Sequence, residues 1–304
     1  MRLDEFDPNA IDIDDQRGQS GGRRFPMGGG GRIGGGGKIG CGTVVIIIIA
    51  ALVFKVDPSQ LLGGMQGGGT QGGIGGALPG QQEQQAQGGG TTAESCKIDQ
   101  ASLETCNALS SLNKTWEPLF KAAKIPFKRP TLHFYAQNGD SGCGAAQSAM
   151  GPFYCPSDQG IYLDTDFYRQ MEQELGADGQ FARNYVIAHE YGHHIQQVLG
   201  KSDEVREMQQ RNPDSANQLS VRLELQADCY AGVWAAKNRE RMEPGDMESG
   251  LKAAHQIGDD TLMKGAGRRP VESTFTHGSS AQRVAWLRKG LESGNEDTCD
   301  TFKR

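Results

Sequence analysis

Residues 44–54 read Val-Val-Ile-Ile-Ile-Ile-Ala-Ala-Leu-Val-Phe, and no charge falls between Lys38 and Lys55. About 16 residues of helix reach ~24 Å, slightly short of a ~30 Å hydrocarbon core. Snorkelling lysines at both ends, or local thinning, cover the difference. The pattern predicts one transmembrane helix over residues 39–56. A buried core segment is the alternative, but the glycine-rich flanks offer it no packing partners. Beyond residue 92 the periodicity changes. Phe181, Tyr185, Ala188, Gly192, Ile195 and Leu199 recur at helical spacing, which predicts a helix over residues 178–200 with Asp178 as N-cap and Gly200 as stop. A second helical stretch opens at Ser220 and runs to about Arg239, with Val221, Leu225, Tyr230 and Trp234 apolar. A third pattern includes Arg283, Val284, Trp286 and Leu287. Leu132-His133-Phe134-Tyr135 reads as a short strand, and residues 153–155 and 161–163 as a β-hairpin turning through Pro156–Gly160. The predicted class is α+β, mainly helical, with a small sheet ahead of the helix over 178–200.

Composition divides the chain further. Of 44 glycines in 304 residues, 26 fall in residues 1–92 and 18 in residues 93–304. A glycine-rich stretch cannot offset its ordering entropy by burying side chains, so a single globule of the full length is excluded. Collagen is excluded too, because no three-residue period exists. Four segments are expected: a disordered cytoplasmic tail (1–38), a signal anchor (39–56), a Gly/Gln-rich linker (57–92) and a folded domain (93–304). Arg17, Arg23, Arg24, Arg32 and Lys38 precede the apolar run without an acid after Asp15. The positive-inside rule therefore places the N-terminus in the cytoplasm and the domain outside it. A cleavable signal peptide is disfavoured by the long basic n-region and the lack of a small-x-small site after Phe54. The outer glycine-rich spacer, residues 63–90, has an end-to-end distance of roughly 30 Å as a flexible chain and reads as a tether near the membrane surface.

Charge is mild, with 31 basic and 37 acidic residues, which argues against a nucleic-acid partner. Of seven cysteines, Cys41 lies in the membrane segment; Cys96, Cys106, Cys143, Cys155, Cys229 and Cys299 lie beyond it. An even number outside the cytoplasm suggests disulfides. Fifteen pairings are open; one set joins 96 with 106, 143 with 155, and 229 with 299. No Cys-x-x-Cys spacing points to a cysteine zinc site.

The chemistry concentrates in His189-Glu190-Tyr191-Gly192-His193. Residues four apart share a helix face, so His189 and His193 can hold one Zn²⁺ as a rigid pair, and Glu190 can take the proton of a water there. A catalytic zinc keeps three protein ligands and an open position. Gln196 and Leu199 stand where a metzincin would place its glycine and third histidine, so that class is excluded. Glu224 and Asp228, also four apart, form an acidic pair that costs free energy on an apolar face unless partnered. Glu224 is the expected third ligand and Asp228 the acceptor for a ligand histidine's second N–H.

The helix pair, Glu-x-x-x-Asp after His-Glu-x-x-His, resembles the gluzincin metallopeptidases. The chain is more closely similar to the bacterial membrane-anchored neutral zinc metallopeptidase family. Residues 151–156, 185–190, 223–231 and 275–283 carry that likeness, which extends from the N-terminal anchor to residues 299–302. The resemblance implies a mainly α-helical, gluzincin-like zincin domain with the small sheet before the active-site helix, and a hairpin whose edge strand rims the cleft; a hairpin that only packs under the helix is the alternative. It also implies that His277, in Thr276-His277-Gly278-Ser279-Ser280, stabilises an oxyanion; N-capping or structural hydrogen bonding is the alternative. His194 points ~100° away from His193 and reads as outer-layer or surface, and His133 and His255 read as structural. The expected activity is zinc-dependent hydrolysis of peptide bonds in a peptide or protein substrate, with Glu190 as base. The alternatives are a catalytically silent zinc-binding scaffold, against which the intact Glu190 argues, and a cell-wall amide hydrolase, for which no wall-binding module is recognisable.

Overall fold

The computed structural model describes residues 1–18, 91–176 and 179–303. The predicted anchor over 39–56, nearly all of the linker over 57–92, and Asp178 lie outside the described residues. Alternating apolar positions build the sheet. It has four strands: β1 (Asp12–Asp15), β2 (Thr131–Tyr135), β6 (Gly160–Asp164) and β5 (Phe153–Cys155), in the order β1-β2-β6-β5. β1 runs parallel to β2 and β2 parallel to β6, while β5 and β6 form the expected antiparallel hairpin. Leu132, Phe134, Ile161 and Leu163 point to one face and enter the main core. Tyr135, Tyr162 and Cys155 point to the other, where Phe153 and Ala146 join them. Ala146 lies on β4 (Gly144–Gln147), which pairs with β3 (Asn138–Ser141), and a Cys143–Cys155 disulfide ties this hairpin to the sheet.

The helices follow: α1 (Thr92–Cys96), α2 (Gln100–Ala122), α3 (Phe167–Leu175), α4 (Gln180–Val198), α5 (Lys201–Arg211), α6 (Ala216–Lys237), α7 (Asp246–Gln256), α8 (Asp259–Gly265) and α9 (Ser280–Ser293). α4 is the central element, packed against α2, α6, α7 and β5. It matches the predicted helix, ending before Gly200, whose φ of 71° suits a glycine stop. Gly179 stands at its N-cap, and Leu199 is 45% exposed rather than part of the buried stripe. α6 begins earlier than predicted, at Ala216. Disulfides join Cys96 to Cys106 and Cys229 to Cys299 as well.

The N-terminus corrects the expected topology. Met1, Phe6 and Ile11 are buried in the same core as the helices. β1 hydrogen-bonds β2, and the buried Arg17 donates to the Ser95 carbonyl (2.9 Å) and to Ser102 Oγ (2.6 Å). A chain crossing a bilayer once between residues 18 and 91 would leave those two flanks on opposite sides; here they are parts of one folded body. No helix among the described residues is long and apolar enough to cross a membrane. The single-pass arrangement, with a cytoplasmic N-terminus and the domain outside, is therefore overturned. Residues 1–17 belong to the domain rather than to a separate disordered tail.

Candidate metal centre

The His-Glu-x-x-His residues sit in the middle of α4. The His189 and His193 rings lie one turn apart, with centroids 4.8 Å apart and planes at 87°. Gly192, between them in sequence, decides what faces them. A Cβ there would lie 2.8 Å from Ala227 Cα and 2.9 Å from Ala227 O, so α4 and α6 touch backbone to backbone only because this residue is glycine. That contact brings Glu224 and Asp228 of α6 to the histidine pair. Glu224 Oε2 lies 3.1 Å from His189 Nε2, and Glu224 Oε1 lies 3.5 Å from His193 Nε2. One ligand atom from each of His189, His193 and Glu224 falls within 4.8 Å of the others, and four tetrahedral ligands at ~2.1 Å from zinc stand ~3.4 Å apart.

The neighbours of this trio face it correctly for a metal. Asp228 is completely buried and accepts from His189 Nδ1 at 2.8 Å. His193 Nδ1 faces Gln196 Oε1 at 2.9 Å. Both imidazoles thus keep their Nε2 atoms for the pocket. Asp228 also accepts from Tyr185 Oη (2.6 Å) and, through both oxygens, from the buried Arg283 (2.9 Å each). Arg283 arrives on α9, which approaches α6 at another glycine contact: a Cβ on Gly290 would lie 2.1 Å from Cys229 O. Sequence reasoning places Tyr185 on an apolar stripe and Arg283 in a helical pattern, both within segments that carry the family likeness, and gives neither a role at the site. A buried carboxylate demands a countercharge, and that demand is the signal that could have singled out Arg283.

The electrostatics follow from burial and these partners. Burial disfavours a charged His189, but Asp228 and Glu224 outweigh it and push its pKa up to about 10. Burial would raise Glu224, yet His193, His277 and His189 hold its carboxyl well below the usual range. Burial also opposes ionisation of Asp228, which Arg283 and His189 hold down. The Glu190 carboxyl is pushed up to about 7 by burial, against the pull of His189. Burial lowers His193. A proton on His189 offsets the carboxylates of this pocket. A divalent cation can take its place, and two nitrogens and one carboxylate suit zinc.

His277 lies in the loop between α8 and α9. Asp259, the first residue of α8, holds that loop. Its Oδ2 accepts the backbone N–H of Thr276 (2.8 Å), His277 (2.8 Å) and Gly278 (3.1 Å), and its Oδ1 faces His277 Nδ1 at 3.2 Å. Asp259 is not among the residues that sequence reasoning singles out. The N-cap of α9 is Ser279, in a capping box with Gln282, and not His277. Burial opposes a charge on His277, but Glu224 and Asp259 raise it, and its charge acts in turn on Glu224 and Glu190. The remaining histidines stand outside this group. His194 is fully buried between Tyr154 Oη (3.1 Å) and the Lys128 carbonyl (2.8 Å). His133 pairs with Asp14 and stacks on Tyr162. His255, on α7, offers its carbonyl to Ser280 Oγ.

Sequence comparison finds relatives of this chain. Over 300 residues the chain is 40% identical to the uncharacterized protein YpfJ of Escherichia coli strain K12, covering 95% of each. It is 39% identical over 206 residues to the uncharacterized proteins Rv2575 of Mycobacterium tuberculosis and Mb2605 of Mycobacterium bovis, covering 64% of this chain and 68% of theirs. No solved structure matches. The family model described as "Putative neutral zinc metallopeptidase" matches residues 5–302, so the chain belongs to the neutral zinc metallopeptidase family.

Proposed function

We propose that the protein is a zinc-dependent endopeptidase in which His189, His193 and Glu224 hold the metal and Glu190 is the general base. The observation that supports this reading is the convergence of that trio beside the buried Glu190 carboxyl. Zinc, when bound, supplies Lewis acidity to a water and to the substrate carbonyl. Glu190 takes one proton from the attacking water as the new C–O bond forms, and gives it to the amide nitrogen as the C–N bond breaks. A base near neutrality suits both transfers. Asp228, braced by Arg283 and Tyr185, keeps His189 in the tautomer that presents Nε2 to the pocket. His277, held by Asp259, donates to the oxygen on which negative charge develops, an interaction worth ~3 kcal/mol in other hydrolases.

The test is Glu190→Gln in the full chain. The variant should retain stoichiometric zinc and lose cleavage of a mixed peptide library by at least about a hundredfold. Retained cleavage in a zinc-loaded variant would falsify the role of Glu190.

A further inference from the structure

His193 has no carboxylate behind it comparable to Asp228. Its Nδ1 faces Gln196 Oε1 at 2.9 Å, and two buried amides continue the chain of contacts from there. Gln196 Nε2 donates to the Leu223 carbonyl at 2.7 Å and to Gln226 Oε1 at 3.1 Å. Gln226 Nε2 donates to the Cys299 carbonyl at 3.1 Å. Gln196 is 1% exposed and Gln226 4%. The two terminal acceptors are backbone carbonyls, which cannot donate. The amide of Gln226 must therefore turn its NH₂ toward Cys299 and its oxygen toward Gln196. The amide of Gln196 must likewise turn its NH₂ toward Leu223 and Gln226, and its oxygen toward His193. An oxygen at Nδ1 requires a proton on Nδ1, which leaves the Nε2 lone pair for the pocket. The Leu223 carbonyl by itself fixes the direction of the Gln196 amide; the Cys299 carbonyl, in the 3-10 turn Glu296–Cys299 that the Cys229–Cys299 disulfide anchors to α6, fixes that of Gln226, whose oxygen takes the second N–H of Gln196.

We propose that Gln196 is a positioning residue that, held by the Leu223 carbonyl and by Gln226 behind it, keeps His193 in its metal-binding tautomer. The inference rests on the reading of His193 as a ligand. It places the Cys229–Cys299 disulfide behind Gln226, the outer member of the relay. His189 and His193 are thus oriented by two different devices, one ionic and one a neutral amide relay. The neutral device adds no charge to a pocket that already holds Glu190, Glu224 and Asp228.

The experiment measures zinc affinity by chelator competition on the full chain, together with the His193 tautomer by ¹⁵N correlation spectroscopy of the metal-free protein at mildly alkaline pH. Gln196→Met should bind zinc about 10- to 100-fold more weakly and should populate the Nε2–H tautomer of His193, whereas the wild type shows Nδ1–H. A folded Gln196→Met protein whose zinc affinity stays within about threefold of wild type, or whose His193 remains Nδ1–H, overturns the relay. Should Gln196→Met fail to fold, Gln196→Leu carries the same two readings, because it too removes the acceptor at Nδ1; Gln226→Met, which keeps the Gln196 bond to Leu223, should leave His193 as Nδ1–H, and an Nε2–H His193 there would overturn the Leu223 carbonyl as the group that sets the direction. His193→Ala separates the two levels: unchanged zinc affinity there removes His193 as a ligand and the relay with it, whereas weakened affinity leaves the relay to be judged by the glutamine variants.

Discussion

His193 and His194 are adjacent in sequence and opposite in chemistry because of what each meets. His193 turns toward the pocket. His194, about 100° further round α4, has both nitrogens occupied by Tyr154 Oη and the Lys128 carbonyl, and burial holds its pKa down at about 4. An unfolded histidine titrates near ~6.5. As pH falls, the unfolded state takes up this proton first. The stability due to a neutral His194 is therefore present above pH ~6.5 and lost between ~6.5 and ~4, by up to about 3 kcal/mol. Denaturant unfolding across that range should show the loss, and His194→Gln should flatten it; an unaltered slope in the variant would assign the loss to other groups. At this scale the sequence discloses little. The spacing of His189 and His193 is visible because one helix supplies both. Nothing adjacent to Asp228 announces Arg283, 55 positions on, and nothing near His277 announces Asp259.

Between elements, the contact of α4 with α6 governs the site. A methyl at Gly192 would press on the Ala227 backbone at 2.8–2.9 Å, and neither helix backbone can yield without moving Glu224. Overpacking of this kind costs ~1–3 kcal/mol, while alanine's better helix propensity returns up to ~1 kcal/mol. The overpacking cost outweighs that return, so Gly192→Ala should lower stability and weaken zinc binding together. Calorimetry and chelator competition on the same preparation would check this; a variant that is more stable and binds zinc normally would show that the helices do not need the close approach. The apolar periodicity predicts both helices well, since each is long and carries its own pattern. Gly192 reads there as one more position of an apolar stripe, because spacing reports a face and not what presses on it. The β5–β6 hairpin is legible from local alternation and turn residues. β1 is not, as Asp12–Asp15 is an acidic stretch whose strand character comes from pairing with β2.

For the molecule as a whole, the N-terminal segment is the point that separates two topologies. Phe6 is 5% exposed and sits with Ile11 in the common core. Phe6→Ala should therefore cost about 3 kcal/mol of unfolding free energy. A detached tail would lose nothing, so a variant with wild-type stability would refute the integrated N-terminus. Charge asymmetry around the apolar run suggests opposite sides for the two flanks, but that rule presumes that nothing else joins them. Here a parallel strand pair, a shared core and the bonds of Arg17 do join them.

Features that live within one element or a short turn are written in the sequence directly. The 3.6-residue period places His189 and His193 on one face and Glu224 and Asp228 on another, and the overall likeness already indicates the family. Packing in three dimensions settles the rest: which faces meet, which amides and cations stand behind each histidine, and where the N-terminus goes. Those outcomes depend on burial, countercharge and close backbone approach between segments distant in the chain. Such forces act only once the helices and strands are packed, so no local pattern of residues encodes them.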